Sequence, residues 1–271
     1  MESVSELESR LASHLVTRHF GRPHHVFEQL GSTQDEARKL ARTGAPHGTL
    51  VWALEQTAGR GRMNRQWVSK RGAGLWFSLV LRPGGDSNAA ALLSLAASVG
   101  VARAVPSSSA DAVRLKWPND VLLNGRKLAG ILAEAETRDG HLSFVLLGVG
   151  LNLDPGPDGF PAAIADQAAA LVEVVDSPLD DAALMASLLA ELEAATELAL
   201  ADPRALRQAW LELTETLGQQ VRAQTGTASI EGRAVDLDLD GSLVLEMPDG
   251  TQERVRSGEV VHLRQVPPAG T

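Results

Sequence analysis

Two dipeptides, Asn124-Gly125 and Asp139-Gly140, decide much of what this chain can fold into. Residue pairs of this kind tolerate positive φ, so each closes a two-residue hairpin between antiparallel strands. The flanks agree: Val113–Trp117, Val121–Leu123, Lys127–Glu136 and Leu142–Leu153 read as strands, making the centre a run of hairpins. Upstream, Thr49–Glu55 reads as a strand, and Leu75, Phe77, Leu79 and Leu81 alternate along a second, largely buried one.

Helical periodicity frames these strands. Val4, Leu7, Leu11 and Leu15 predict one short helix. Thr33-x-x-Glu36 has the form of a capping box, opening a helix that ends at Gly44. Ser87–Val105 predicts a third helix, closed by a loop at Pro106 and the three serines after it. His24-His25 beside Pro23 reads as a surface loop. Residues 154–178 predict a loop with a short helix, and Asp180–Leu200 and Pro203–Leu217 two amphipathic helices. From Gly218 the pattern changes. Gln220–Gln224, Ser229–Leu239, Ser242–Glu246 and Gln252–Arg256 are short strands split by Asp-Gly turns, which suggests a small barrel. The expected fold is α+β, a mixed sheet flanked by helices over residues 1–217. A small SH3-like barrel follows over 218–266, then a frayed tail at 267–271.

A net charge of −9 over 271 residues argues against a surface devoted to nucleic acid, and the absence of cysteine excludes disulfides and thiolate chemistry. Ala89–Ala97 and Phe144–Leu153 fall well short of the roughly 20 apolar residues of a membrane span. The acidic start has no apolar signal region, so a cytoplasmic protein with no membrane partner is expected.

Against that acidic background, Arg60, Arg62, Arg65, Lys70 and Arg71 crowd one acid-free loop, Gln56–Gly72. Glycines there let backbone approach a ligand, and clustered guanidiniums suit phosphate or carboxylate. The loop matches neither standard phosphate-binding pattern, and composition alone also allows a solvated basic loop. Lys116-Trp-Pro-Asn-Asp120 lies between two strands. Asn119 can hydrogen-bond a base or phosphate and Asp120 can hold Mg²⁺, although Pro-Asn-Asp is equally a plain turn. Lys127 follows the hairpin turn, either as an edge charge or facing the same site, and Ala129-Gly130 suggests close approach of something to the strand. Asn152 sits in an apolar strand, where its amide needs partners. Ser32 and Thr33 at a helix start either cap it or face a small polar ligand. The seven histidines show no metal spacing.

In this order the segments resemble those of the biotin protein ligase family. That family carries Gly-Ser-Thr-Asn, Gln-x-x-Gly-Arg-Gly-Arg-x-Gly-Arg-x-Trp, Lys-Trp-Pro-Asn-Asp, Lys-Leu-Ala-Gly-Ile and Gly-x-Gly-x-Asn. Here they stand at Gly31–Gln34, Gln56–Trp67, Lys116–Asp120, Lys127–Ile131 and Gly148–Asn152. Two positions depart: Asn64 replaces the loop glycine, where asparagine tolerates positive φ, and Gln34 replaces the asparagine after Ser-Thr.

The resemblance implies the catalytic domain of class II synthetases and biotin ligases. It implies a two-step reaction from biotin and Mg-ATP, through biotinyl-5′-AMP, to a lysine of a biotin carboxyl carrier domain. That partner would belong to acetyl-CoA carboxylase or a related carboxylase. By the same resemblance, Lys127 and Arg62 are the catalytic candidates. Ser32, Thr33, Gln56, Gly59, Arg60, Arg62, Lys127 and Gly130 would bind biotin. Arg62, Arg65, Trp67, Asn119, Lys127, Ile131 and Asn152 would bind the nucleotide, and Asp120 would hold Mg²⁺. Gln56–Gly72 is expected to order over the ligand. The N-terminal stretch has no room for a DNA-binding helix-turn-helix, so the monofunctional type is expected, as monomer or homodimer and without nucleic acid. The alternatives are a lipoate or octanoate ligase and a non-catalytic biotin-sensing regulator.

Overall fold

A computed structural model describes residues 3–84, 89–106, 112–175, 179–225, 228–256 and 258–263. The expected helix start at Ser87, the serines after Pro106 and the tail at 267–271 lie outside the described residues.

The turn dipeptides act as expected: Asn124 and Gly125 have φ of 50° and 74°, Asp139 and Gly140 of 53° and 79°. Around them β4 (Val113–Lys116), β5 (Asp120–Leu123), β6 (Arg126–Arg138) and β7 (His141–Asn152) form consecutive antiparallel pairs. With β1 (His24–Phe27), β2 (Thr49–Ala53) and β3 (Gly74–Leu81) they build a seven-stranded sheet ordered β1-β2-β3-β7-β6-β5-β4. Only the β1–β2 pairing is parallel, so the sheet is mixed.

The period-2 alternation divides the two faces. Val51, Val80 and Leu146 face α2 (Thr33–Arg42), where they pack with Ala37, Ala41 and Phe144. Leu50, Trp52, Leu79, Leu81 and Leu147 belong to the main core, together with buried residues of four further helices. These are α1 (Val4–His14), α3 (Ala89–Ala104), α4 (Asp181–Ala201) and α5 (Pro203–Leu213). Among the described residues no helix is long and apolar enough to cross a membrane.

Three expectations are corrected. His24-His25 is not a loop but the start of edge strand β1; only Val26 is buried there, so pairing with β2 rather than pattern makes it a strand. The last helix ends at Leu213, not Leu217. The Thr214 hydroxyl donates to the Leu115 carbonyl and Thr216 accepts from the Trp117 amide, which draws 214–216 alongside β4. The C-terminal unit has five strands rather than four. It contains β8 (Gln220–Thr225), β9 (Ala228–Leu237), β10 (Leu243–Glu246), β11 (Gln252–Val255) and the unexpected β12 (Glu259–His262). They form an antiparallel sheet ordered β11-β10-β9-β8-β12, and four residues with one buried valine are too few to show alternation. Trp117 Nε1 donates to the Gly241 carbonyl and ties this unit to the β4–β5 corner.

Away from the sheet, Glu193 of α4 is buried and accepts three backbone N–H bonds, from Arg18, His19 and Phe20, at 2.8, 2.7 and 2.9 Å. Burial raises its pKa, but the three donors outweigh this and hold the carboxyl below its ordinary value. A lowered folded-state pKa stabilises fully above the ordinary value of 4.5 and is lost as pH falls through the folded value. Glu193→Ala is expected to destabilise by about 2–4 kcal/mol by orphaning three donors. That corresponds to a Tm lower by roughly 5–15 °C at pH 7, read by calorimetry. The gap to the parent protein should narrow on acidification below the ordinary carboxylate range.

Candidate active site

Opposite ends of one cavity have opposite chemistry. The cavity, of about 560 Å³, lies between the N-terminus of α2, the arginine loop, the β4–β5 corner and β12. That is a volume suited to a small-molecule ligand.

Apart from Arg60, the groups that line the α2 end are polar and neutral. Ser32 is the helix N-cap, yet its hydroxyl makes no cap bond. Thr33 is the first helical residue, so the expected Thr33–Glu36 capping box does not form. Instead its amide and hydroxyl donate to Gln56 Oε1 at 2.8 and 3.1 Å, and the hydroxyl lies 2.8 Å from Ser78 Oγ. Gln56 Nε2 donates to Ser69 Oγ at 2.9 Å. The Gln56 carboxamide therefore braces the loop onto α2. Gln34, noted in the sequence only as a departure, is buried in the same wall.

Charged groups line the other end. Lys127 Nζ stands 2.5 Å from Asp120 Oδ1 and 5.2 Å from the Trp67 ring centre. Its backbone is pinned on both sides: its amide donates to the Gln167 carbonyl, and its carbonyl accepts from Ala169 N and Asn152 Nδ2. Asn152 Nδ2 also donates to the Ala169 carbonyl, so this amide orients Lys127. Arg62 donates to Asn119 Oδ1 at 3.1 Å, while Asn119 Nδ2 donates to the Ile131 carbonyl. Burial pushes the Arg62 pKa down against the upward pull of the Asp120 and Glu259 carboxylates, and a guanidinium stays charged regardless.

Trp67 packs against β6 and β7 beside Lys127. Its ring lies on Gly130 and Gly150, where an added Cβ would come within 2.8 and 2.5 Å of it. It meets Trp76 edge-on at 6.3 Å between ring centres. Gly130, expected to admit a close partner, therefore admits an indole, and Gly150 does the same. Gly59 differs from the expectation. It does not line the cavity; a Cβ there would meet the Trp67 carbonyl at 2.5 Å, so what approaches Gly59 is its own loop. Every other candidate residue lines the cavity. Met63 carries a left-handed φ of 53°, one position before Asn64.

Several residues were missed in the sequence. Ser78, Glu215, Glu259 and His262 also line the cavity. Glu215 and His262 stand 3.7 Å apart; burial raises the Glu215 pKa and lowers that of His262. Arg65, expected on the nucleotide, pairs in bidentate fashion with Glu259 at 2.7 and 2.6 Å. Arg60 pairs with Asp35 at 2.5 Å. The loop is thus fastened at both ends of the cavity. Among the described residues no three His, Asp or Glu gather as a metal site.

An exposed pair contributes only about 0.2–1 kcal/mol, so Glu259→Ala should leave Tm nearly unchanged. It should nonetheless release the loop, giving faster tryptic cleavage after Arg60, Arg62 and Arg65. Unchanged cleavage in that variant would mean that the clasp does not hold the loop.

Residues 26–152 match the biotin/lipoate A/B protein ligase family and residues 216–263 the biotin protein ligase C-terminal domain. The bifunctional ligase/repressor BirA of Bacillus subtilis is 34% identical over 247 residues, 91% of this chain and 76% of that protein. The biotin–[acetyl-CoA-carboxylase] ligase of Paracoccus denitrificans is 40% identical over 232 residues, 82% of this chain and 93% of that one. The solved biotin protein ligase from Aquifex aeolicus, in complex with biotin and ATP, aligns with a TM-score of 0.75 at 25% identity. The alignment covers 92% of this chain and 100% of that structure's.

Proposed function

The chain belongs to the biotin protein ligase family, and from that premise we infer an ATP-dependent, AMP-forming ligase that attaches biotin to a carrier protein. The observation that carries the reading is the polarity of the cavity: hydrogen-bonding groups at the α2 end, neutral except for Arg60, which Asp35 neutralises, and Arg62 and Lys127 at the other. Biotin has the same polarity, a cyclic urea at one end and a carboxylate at the other.

In the first step a biotin carboxylate oxygen attacks the α-phosphorus of ATP. The bond to pyrophosphate breaks and biotinyl-5′-AMP forms. Two anions must meet, so cations have to offset charge around phosphorus. Lys127 and Arg62 take this role, oriented by Asn152 and Asn119. Ser32, Thr33, Gln56, Arg60 and Gly130 belong to the biotin end; Arg65, Trp67 and Ile131 belong with the nucleotide. Asp120, whose Oδ1 also meets Lys127 Nζ, would hold a Mg²⁺ accompanying ATP, and that ion would withdraw charge from the phosphates.

In the second step the ε-amine of the carrier lysine attacks the anhydride carbonyl, AMP leaves and an amide forms. The carrier is the biotin carboxyl carrier domain of acetyl-CoA carboxylase or a related carboxylase, met where ATP is abundant, in the cytoplasm. Residues 1–217 are assigned as the catalytic domain and 218–266 as the small barrel, whose strand β12 adds Glu259, Val260 and His262 to the cavity lining. Incubating the protein with purified biotinyl-5′-AMP and a carrier domain tests the second step alone. Transfer to the carrier, absent when its target lysine is arginine, is the expected result. Hydrolysis without transfer would contradict it.

A further inference from the structure

The second step needs a neutral amine, yet a carrier lysine arrives as an ammonium with a pKa of roughly 10.4. Arg62, Lys116 and Lys127 line the cavity and repel that ammonium, so a carboxylate has to draw it in and take its proton. Among the described residues the carboxylates lining the cavity are Asp120, Asp166, Glu215 and Glu259. Asp120 is paired with Lys127, and Arg65 holds Glu259 in bidentate fashion. Asp166 lies exposed in a turn. Glu215 remains. Among the described residues no Lys or Arg pairs with its carboxylate and no group donates to it, and 30% of its side chain is open to solvent.

Its backbone is pinned. Thr214 bridges to Leu115 of β4, and the Glu215 amide donates to the Leu115 carbonyl at 3.0 Å. On the far side Thr216 accepts from the Trp117 amide. Glu215 therefore lies beside Lys116, whose register partner is Asp120, and Asp120 in turn pairs with Gly130. Cross-strand neighbours share a face, so Glu215, Lys116 and Asp120 form a row that leads to Lys127. Two strand spacings, about 10 Å, separate the backbones of Glu215 and Asp120. The charged groups around Glu215 are Arg114 and Lys116 on β4, with His262 on β12. Burial pushes the Glu215 carboxyl above its ordinary value against the pull of both cations, which raises its affinity for a proton. Burial, helped by Lys116, lowers His262, so its imidazole is neutral at pH 7, and at 3.7 Å its Nδ1 is too far to bond the carboxylate.

We propose that Glu215 is a catalytic residue of the second step: its carboxylate receives the carrier's lysine ammonium and takes a proton from it. This rests on the biotin-ligase reading and adds a residue to it. The neutral amine's lone pair then forms the C–N bond. The bond from the carbonyl carbon to the phosphate oxygen breaks, AMP departs with that electron pair, and the second nitrogen proton passes to water. Glu215 returns its own proton to water once the product has left.

The test uses the full chain loaded with biotinyl-5′-AMP and offers it either a carrier domain or hydroxylamine, a nucleophile already neutral at pH 7. Glu215→Gln should slow transfer to saturating carrier at pH 7 by about 10²–10⁴-fold, the usual effect of losing a general base. Its reaction with hydroxylamine should stay within about twofold of the parent, because no ammonium has to be deprotonated. Raising the pH toward the pKa of the carrier lysine should shrink the deficit, since the free amine then forms without help. Glu215→Asp, which keeps a carboxylate, should retain more of the rate than Glu215→Gln. Parental transfer to the carrier by Glu215→Gln would overturn the proposal. So would an equal loss with hydroxylamine, a deficit independent of pH, or a change confined to the KM for the carrier. If the unaltered protein makes no biotinyl-5′-AMP from biotin and ATP, the ligase reading itself fails and this proposal with it.

Discussion

Lys127→Ala is expected to lower biotin-dependent pyrophosphate exchange by about 10²–10³-fold, the usual effect of removing one charge-stabilising group from a reacting centre. The loss should fall on chemistry rather than folding. The backbone at 127 is held by Gln167, Ala169 and Asn152 whatever side chain it carries, and the removed ammonium is partly exposed. Biotin affinity, measured without ATP, should change by less than about tenfold, because a cation screened by Asp120 adds little in the ground state. Lys127→Arg should not restore the rate: a planar fork cannot replace a point charge seated between Asp120 and the Trp67 ring. Exchange at the parental rate in Lys127→Ala would remove this residue from the mechanism.

Gly150→Ala should raise the KM for ATP by about 5- to 150-fold, from the 1–3 kcal/mol of an overpacked site. The added Cβ would lie 2.5 Å from Trp67 Nε1 and 2.6 Å from its Cε2, and an indole cannot bend away. It must leave its seat, and the Lys127 ammonium then keeps Asp120 but loses the ring. Because the effect passes through Trp67, the double variant Gly150→Ala/Trp67→Ala should be no worse than Trp67→Ala alone. Additive losses would show that Gly150 acts on the strand and not on the indole.

What could be read from the sequence, and what could not, follows from the range of the interactions. Asn124-Gly125 and Asp139-Gly140 act on their own backbone, so the hairpins were legible. Lys127, Asp120 and Asn119 lie close along the chain around one hairpin, and their meeting follows from its pairing. Arg65–Glu259 joins residues 194 apart, and nothing local to Glu259 marks it. Gly59, a glycine in a ligand-binding pattern, serves the loop's own closure, which only the folded loop reveals. Thr33 had the form of a cap, but a hydroxyl beside Gln56 and Ser78 has better partners than its own helix.

The central claim is that the cavity joins biotin to the α-phosphate of ATP. Acid-dependent exchange of labelled pyrophosphate into ATP tests it most directly, with biotin, lipoate and octanoate compared side by side. Exchange with biotin alone, lost in Lys127→Ala, is the predicted result. Exchange driven by lipoate or octanoate but not biotin, or none with any acid despite measurable biotin binding, would contradict it.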